Sequence, residues 1–115
     1  EDKTVISVMG DAGIQMLLAE LGVIKEYDLD IKVIVFNNSR LGMVRELQDN
    51  IYGLGNIHAV KFKHSPDFVK IAEGFGLKGT RVSSNEEFEN VFKECLNSKE
   101  ACLIECIVDA DFSTI

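Results

Sequence analysis

Two short segments carry residue types that could do chemistry together. Gly10-Asp11-Ala12-Gly13 closes one apolar run, and Asn37-Asn38 closes another. Gly10, Ala12 and Gly13 have little or no side chain, so their backbone N–H groups can approach a ligand closely. A helix starting there adds unpaired N–H donors and partial positive charge, which suits a phosphate. Asp11 is then a carboxylate where an anion would bind. That placement is repulsive unless a cation lies between, and a hard divalent ion resolves it. Mg²⁺ takes about six oxygens at about 2.1 Å, typically one or two from side chains plus phosphate and water. Asp11 offers a charged oxygen, Asn38 an amide oxygen, and the loop after Asn38 a backbone carbonyl. The pattern reads as a metal-bridged diphosphate site. The same residues are also ordinary turn chemistry after a strand, and spacing alone leaves both readings open.

For the two segments to meet, the chain between them must leave and return. Thr4 to Met9 is a β-branched run that reads as a strand. From Gly13 to about Tyr27, the residues Ile14, Leu17, Leu18, Leu21 and Ile24 form a helical stripe. Asp28-Leu29-Asp30 turns the chain. Ile31 to Phe36 is a second strand, and its continuous apolar run fits a sheet covered on both faces. A helix of that length spans about 22 Å, and the strand returns about 20 Å. Asp11 and Asn38 are therefore expected at one carboxyl edge of a parallel sheet, where ligands bind in such folds.

The rest of the chain repeats this grammar. Leu41, Val44 and Gln48 suggest a short helix, and Gly53-Leu54-Gly55 a loop. Ser65-Pro66-Asp67 reads as an N-cap, a first-turn Pro and a first-turn acid. Phe68, Ile71, Ala72 and Phe75 then share a helical face, and Gly76 suits the C-terminal cap. Lys78 to Val82 is a strand candidate. Ser84-x-x-Glu87 is a capping box opening a helix with Phe88, Val91, Phe92 and Cys95 on one face. Ala101 to Val108 is the last strand. Cys102, Ile104, Cys106 and Val108 lie on one side; Leu103, Glu105 and Ile107 lie on the other, a face expected to be partly wet. The order predicts an α/β fold, a parallel sheet with helices on both faces and right-handed crossovers.

Composition narrows the function classes. The chain has 115 residues, 46% hydrophobic and 27% charged, which suits one small globular domain. A net charge of −7 argues against a nucleic-acid binder, which would want a basic face, although Ile31 to Lys70 is mildly basic. No apolar run reaches the roughly 18 residues a membrane span needs. Cys95, Cys102 and Cys106 show no CxxC and no zinc spacing. They read as buried free thiols in a reducing compartment, the cytoplasm or an organelle stroma. The chain opens Glu-Asp-Lys with a strand almost at once, so it is expected to be an excised piece, residues 1–115 forming one partial domain.

The lead-in Ile6-Ser7-Val8-Met9-Gly10-Asp11-Ala12-Gly13, the 24 residues from 13 to 36 and then Asn37-Asn38 resemble the signature of thiamine diphosphate (ThDP) enzymes. Ile14-Gln15-Met16, Glu20-Leu21 and Leu41-Gly42-Met43-Val44 are similar to the acetolactate synthase catalytic subunit. So are Tyr52-Gly53, the run from Pro66 to Glu73, and Gly76 to Val82. The matches are collinear from about Val5 to Val108.

This resemblance implies the C-terminal, diphosphate-binding domain of an acetolactate-synthase-like enzyme, with its ThDP-binding fold truncated at the N-terminus. It implies Mg²⁺ ligands at Asp11 and Asn38 through side-chain oxygens and at Arg40 through its backbone carbonyl. It implies that Gly10, Ala12 and Gly13 line the diphosphate, and that Gly42 and Met43 approach the phosphate or the substrate pocket. The cofactors would be ThDP and Mg²⁺, with FAD, where the parent uses it, bound mainly elsewhere. The partners would be N-terminal domains of the same polypeptide, a second copy in a homodimer or higher oligomer, a regulatory subunit and a 2-oxoacid substrate. The activating Glu would come from the pyrimidine-binding domain of a partner chain, so the segment alone is expected to be inactive and to hold no catalytic residue. Three positions depart from the family. Leu47 replaces a Trp that helps wall the substrate channel, Asp30 replaces a Pro, and the flanks of His58 differ.

Two rival readings remain. One keeps the cofactor in another ThDP-dependent 2-oxoacid decarboxylase or carboligase. The other is a flavodoxin-like interaction domain in which the Gly-Asp turn is only structural. Lesser signals have plain readings: Gly74-x-Gly76-x-x-Gly79 is a helix cap plus strand entry, Met16 core filler, Arg45 an exposed helix residue, and His64 an exposed loop residue. His58 is a candidate for the mouth of the site.

Overall fold

The computed structural model describes residues 3–112. The apolar, β-branched runs become four parallel strands: β1 (Val5–Gly10), β2 (Ile31–Asn37), β3 (Lys78–Val82) and β4 (Cys102–Ile107). They form one sheet in the order β1-β2-β4-β3. Register runs Val5 opposite Ile31 and Lys32 opposite Cys102, so the carboxyl ends of β1, β2 and β4 share one edge. Between them lie α1 (Asp11–Gln15), α2 (Glu20–Glu26), α3 (Gly42–Tyr52), α4 (Phe68–Gly74) and α5 (Asn85–Asn97). Glu1 and Asp2, on which the expectation of an excised piece partly rests, lie outside the described residues.

Helices lie on both faces of the sheet, as the sequence predicts, although Ile6 and Val8 of β1 stay exposed on the α5 side. Ile14, Leu21 and Ile24 from α1 and α2 join Phe68 and Ala72 of α4 over Val33, Val35 and Leu103. On the other face, Phe88, Val91, Phe92 and Cys95 of α5 pack on Ile34, Val82, Cys102, Ile104 and Cys106. All three cysteines are free and buried. At the amino edge the fully buried Lys32 donates to the carbonyls of Ser98 (2.7 Å) and Glu100 (2.6 Å) and pairs with Asp30. Its ammonium thus joins the start of β2 to the end of α5.

The structure corrects the sequence reading at four places. The single helix from Gly13 to Tyr27 is two helices. Leu17 N–H bonds Ile14 O at 2.9 Å, Glu20 bonds Leu17, Leu21 bonds Leu18 and Gly22 bonds Ala19. These are three-residue steps, so the turn between α1 and α2 is wound tighter than an α-helix. The stripe is rotated there: Leu17 is half-exposed, and Met16 is 82% exposed instead of filling the core. Second, the N-cap of α4 is Asp67, not Ser65; its carboxylate accepts from Lys70 N–H at 3.2 Å. Third, the capping box of α5 is offset. Ser84 accepts from Glu87 N–H, but Glu87 reaches back to Ser83 N–H at 2.7 Å rather than to Ser84. Fourth, on the β4 face of Leu103, Glu105 and Ile107 only Ile107 is wet, at 42% exposure; Glu105 is not. β4 lies between β2 and β3, and Glu105 is only 1% exposed.

The C-terminal end of α4 follows from Gly76. Its φ of +80° is the left-handed conformation that glycine adopts freely. Gly76 N–H bonds Glu73 O and Leu77 N–H bonds Ala72 O, both at 2.9 Å, the paired bonds that close a helix before a glycine. Gly79 has a different reason. A Cβ there would lie 2.8 Å from the backbone oxygen of Val69 in α4. One substitution should therefore have opposite signs at two glycines. Gly79→Ala is expected to cost about 1–3 kcal/mol by overpacking. Gly74→Ala, with open space around its Cβ in a helical position, is expected to gain about 0.5–1 kcal/mol. Urea-unfolding midpoints of the two variants check this.

Candidate functional site

β1 runs straight into α1. Gly10 is the extended N-cap residue (φ −82°, ψ 166°), and Asp11 opens the helix. Because α1 is only five residues long, the free N–H groups of its first turn supply what positive charge there is, rather than a long dipole. The Asp11 side chain folds inward and is 2% exposed. Its Oδ1 accepts from Ala12 N–H at 2.9 Å. Its Oδ2 is buried with no hydrogen-bond partner. Among the described residues, the other buried side-chain oxygen without such a partner is Asp30 Oδ1, and that atom lies 2.5 Å from the Lys32 ammonium. Asp11 has no such cation.

The neighbouring strand ends in a tight double turn. Asn37 Oδ1 accepts from Ser39 N–H at 3.0 Å, and Asn38 Oδ1 accepts from Arg40 N–H at 3.2 Å. Each asparagine thus closes a turn on the residue two further on. Ser39 sits at φ +54°, a conformation a non-glycine residue adopts at a cost. Bonds from outside the turn hold it there: Leu41 N–H to Val60 O (2.8 Å) and Phe62 N–H to Ser39 O (3.0 Å). α3 then starts at Gly42, where a Cβ would lie 2.7 Å from Asn38 Nδ2. Glycine is what lets the helix start pass this close to the amide.

These two ends meet. Burial pushes the Asp11 carboxyl above the usual carboxylate range, against the opposing pull of backbone N–H groups from Ala12, Ser39 and Arg40. Gly10, Asp11 and Ala12 form one wall of a groove of about 300 Å³, and Asn38, Arg40, Gly42 and Met43 form the other. That volume is at the small end of ligand pockets. Of the residues expected to touch cofactor or metal, Gly13 is the one that does not line it; it lies in α1, where an added Cβ would meet Met9. Phe36, Leu41 and Val44 add apolar surface. Phe36, 45% exposed, was read only as strand core; its signal is a large aromatic immediately before Asn-Asn at the binding edge.

Several lesser candidates lie elsewhere. His58 is outside the groove walls; its backbone N–H is held by Gln48 Oε1 at 2.7 Å. Arg45 is not an exposed helix residue: its guanidinium is 11% exposed and pairs with Asp49 (3.2 Å) and Glu46 (3.5 Å). Leu47 projects from α3, 56% exposed. Gly74 to Gly79 forms a helix end and a strand entry, as expected. Among the described residues no three His, Cys, Asp or Glu side chains gather as a metal cluster, and no helix is long and apolar enough to cross a membrane. Asp11, Asn38 and Arg40, which line one groove, carry a carboxylate, an amide and a loop backbone, whose oxygens are hard donors.

Sequence reasoning missed the buried carboxylate of Glu105 behind the turn. Asn37 Nδ2 donates to Glu105 Oε1 at 2.7 Å, and Arg81 Nε donates to Glu105 Oε2 at 2.7 Å. The signal for it was a charged residue in the middle of an apolar strand, read instead as evidence of a wet face.

Comparison with known proteins bears on this groove. The family model described as "Thiamine pyrophosphate enzyme, C-terminal TPP binding domain" matches residues 1–106. The acetolactate synthase large subunit of Cyanidium caldarium is 38% identical over 104 residues, which is 90% of this chain and 18% of that protein. The probable acetolactate synthase large subunit of Methanocaldococcus jannaschii is 40% identical over 105 residues, 91% of this chain and 18% of that protein. Among solved structures, the thiamine diphosphate-dependent 4-hydroxybenzoylformate decarboxylase of Rhodococcus jostii RHA1 superposes with a TM-score of 0.86 at 30% identity. That match covers 97% of this chain and 21% of the decarboxylase. The chain thus spans about a fifth of the length of these relatives.

The buried carboxylate has a measurable consequence. The folded chain holds the Asp11 proton more tightly than the unfolded chain does, so ionising Asp11 costs stability. The cost is absent below the ordinary value of 3.8, grows as pH rises above it, and is full once the folded group has ionised. Asp11→Asn should therefore stabilise the ligand-free protein at pH 7, with the gain shrinking towards zero below about pH 4. Urea unfolding of both proteins between pH 3 and pH 8 measures the difference.

Proposed function

Because this chain belongs to the thiamine pyrophosphate enzyme family, as its C-terminal TPP-binding domain, we propose that Asp11, Asn38 and Arg40 hold Mg²⁺ against the cofactor's diphosphate in an acetolactate-synthase-like enzyme. The observation that carries this reading is the buried, unpartnered Oδ2 of Asp11, in a residue that lines the same groove as Asn38 and Arg40. A carboxylate is removed from water at large cost unless a charge or hydrogen bonds compensate it. A divalent cation compensates it fully. Asp11 gives the charged oxygen, Asn38 its amide oxygen and Arg40 its backbone carbonyl. This hard, oxygen-only set leaves positions for phosphate and water, which suits Mg²⁺.

The small residues have a role on the anion side. Gly10 and Ala12 offer backbone N–H groups to the diphosphate from the groove wall, Gly13 stands behind that wall in the first turn of α1, and Gly42 and Met43 lie beside the phosphate or the substrate pocket. Bound there, thiamine diphosphate supplies the carbanion chemistry of 2-oxoacid decarboxylation and carboligation. The residues of this chain bind, orient and neutralise; none of them is assigned a proton transfer. The proposed reaction is decarboxylation of pyruvate and transfer of its two-carbon unit to a second 2-oxoacid, as branched-chain amino-acid synthesis requires. The activating Glu, any FAD, the N-terminal domains, the oligomer and a regulatory subunit belong to the rest of that enzyme, placed in the cytoplasm or an organelle stroma. The isolated chain is expected to be inactive.

A second reading keeps the site and changes the reaction. The similarity to a 4-hydroxybenzoylformate decarboxylase, together with Leu47 where the acetolactate branch has Trp, favours a decarboxylase or carboligase of another 2-oxoacid. None of the relatives named above is a flavodoxin-like interaction domain. In the full-length protein, Asp11→Ala should weaken Mg²⁺-dependent ThDP binding at least about 100-fold, since losing even an outer-shell partner of a metal costs 10–100-fold. Calorimetric titration of ThDP with and without Mg²⁺ measures this, and unchanged affinity rejects the site. Incubation with pyruvate separates the two reactions: acetolactate supports the first, and carbon dioxide with acetaldehyde alone supports the second.

A further inference from the structure

We infer that Glu105 is a positioning residue for the metal-binding turn: it fixes the polarity of the Asn37 amide, and through it the turn that presents Asn38 and Arg40. The inference rests on the Mg²⁺ site proposed above.

An asparagine amide has two faces of opposite character, a donor N–H₂ and an acceptor oxygen. A half-turn about its last bond exchanges them at almost no steric cost. In Asn37 the two ends have different work. Oδ1 must accept from Ser39 N–H, because that bond closes the turn in which Ser39 adopts a positive φ. Nδ2 must then point the other way, into the sheet, where it meets Glu105 Oε1 at 2.7 Å. An ionised carboxylate only accepts. With Glu105 at that position the amide has one satisfied orientation, and the flipped one sets oxygen against oxygen and N–H₂ against the Ser39 N–H.

Glu105 is itself held. Arg81 Nε donates to its second oxygen at 2.7 Å. Arg81 also reaches Asp67 Oδ1 at 2.9 Å, and Asp67 caps α4 through Lys70 N–H. Asn37 and Glu105 are both buried, at 6% and 1% exposure. The chain of bonds therefore runs from the N-terminus of α4, across β3 and β4, to the end of β2 beside the groove. A buried ion pair is a weak source of net stability. Its value here is directional: it decides which way one amide faces.

The test is an exchange of donor and acceptor in the full-length protein, read by Mn²⁺ binding in the presence of ThDP followed by electron paramagnetic resonance. Glu105→Gln gives the buried position an amide, whose oxygen stays on Arg81 and whose N–H₂ then faces Asn37 Nδ2. It should raise the Mn²⁺ dissociation constant about 10-fold, the scale of a lost outer-shell partner. Asn37→Asp alone sets two carboxylates together and should do at least as much. The double variant Glu105→Gln with Asn37→Asp restores one donor facing one acceptor and leaves an acceptor for Ser39 N–H, so it should return to within about 3-fold of the unmodified protein. A purely structural role predicts no such pattern in metal affinity among variants that remain folded.

The inference is overturned if folded Glu105→Gln binds Mn²⁺ as the unmodified protein does, or if the double variant shows no recovery over Asn37→Asp. The second comparison stands even where Glu105→Gln alone does not fold. Asp11→Asn run alongside separates the two claims. If it leaves Mn²⁺ affinity intact, the metal site itself is wrong. If it abolishes binding while the Glu105 and Asn37 variants change nothing, only the positioning role falls.

Discussion

A single carboxylate, enclosed at the junction of β1 and α1 with one oxygen unpartnered, sets the terms for the rest of the site. Asp11 is buried and its Oδ2 has neither a hydrogen bond nor a cation. Everything around it follows from that. β2 must be the neighbour of β1 so that its end arrives at the same edge. The turn after β2 is closed by the Asn37 and Asn38 side chains onto Ser39 and Arg40 N–H, with Ser39 at positive φ. α3 must begin with a glycine to clear the Asn38 amide.

Three of the buried charges, two in strands and one at a strand end, have three different solutions. Lys32, at the amino edge, is satisfied by two backbone carbonyls and Asp30, and it fastens β2 to the end of α5. Glu105, near the carboxyl edge, is satisfied by Arg81 and Asn37. Asp11 is left incomplete. Two of the three are closed within the chain and lock strands in place; the third is open, and it lies on the wall of a groove. Buried polar groups are ordinarily satisfied, so an exception calls for a reason. The divalent cation proposed above would be such a reason.

Much of this was legible in the sequence. The strands, the α5 face of Phe88, Val91, Phe92 and Cys95, and the parallel α/β architecture follow from periodicity and caps, because these are local signals that the sheet reinforces. The meeting of Asp11 with Asn38 follows from chain length between strand ends. What was not legible depends on tertiary position. The break between α1 and α2 has no Pro or Gly at residues 16–19 to mark it; it comes from tight three-residue bonding that periodicity cannot reveal. The cap of α4 fell on Asp67 because that acid also answers Arg81 from β3. Glu105 looked like a solvent-facing residue because strand order was unknown. Only with β4 placed between β2 and β3 does its burial follow. Arg45 was misjudged for a related reason: its two acidic partners lie on the same helix, and charge alone did not show how far the trio is enclosed.

The most direct measurement is a crystal structure of the full-length protein with ThDP and Mn²⁺ in place of Mg²⁺, with the metal located by its anomalous scattering. The account predicts one peak at roughly 2.2 Å from Asp11 Oδ2, the Asn38 side-chain oxygen and the Arg40 carbonyl, the distance of a first coordination shell. A metal bound elsewhere on the diphosphate, with Asp11 Oδ2 still lacking a partner, would contradict it.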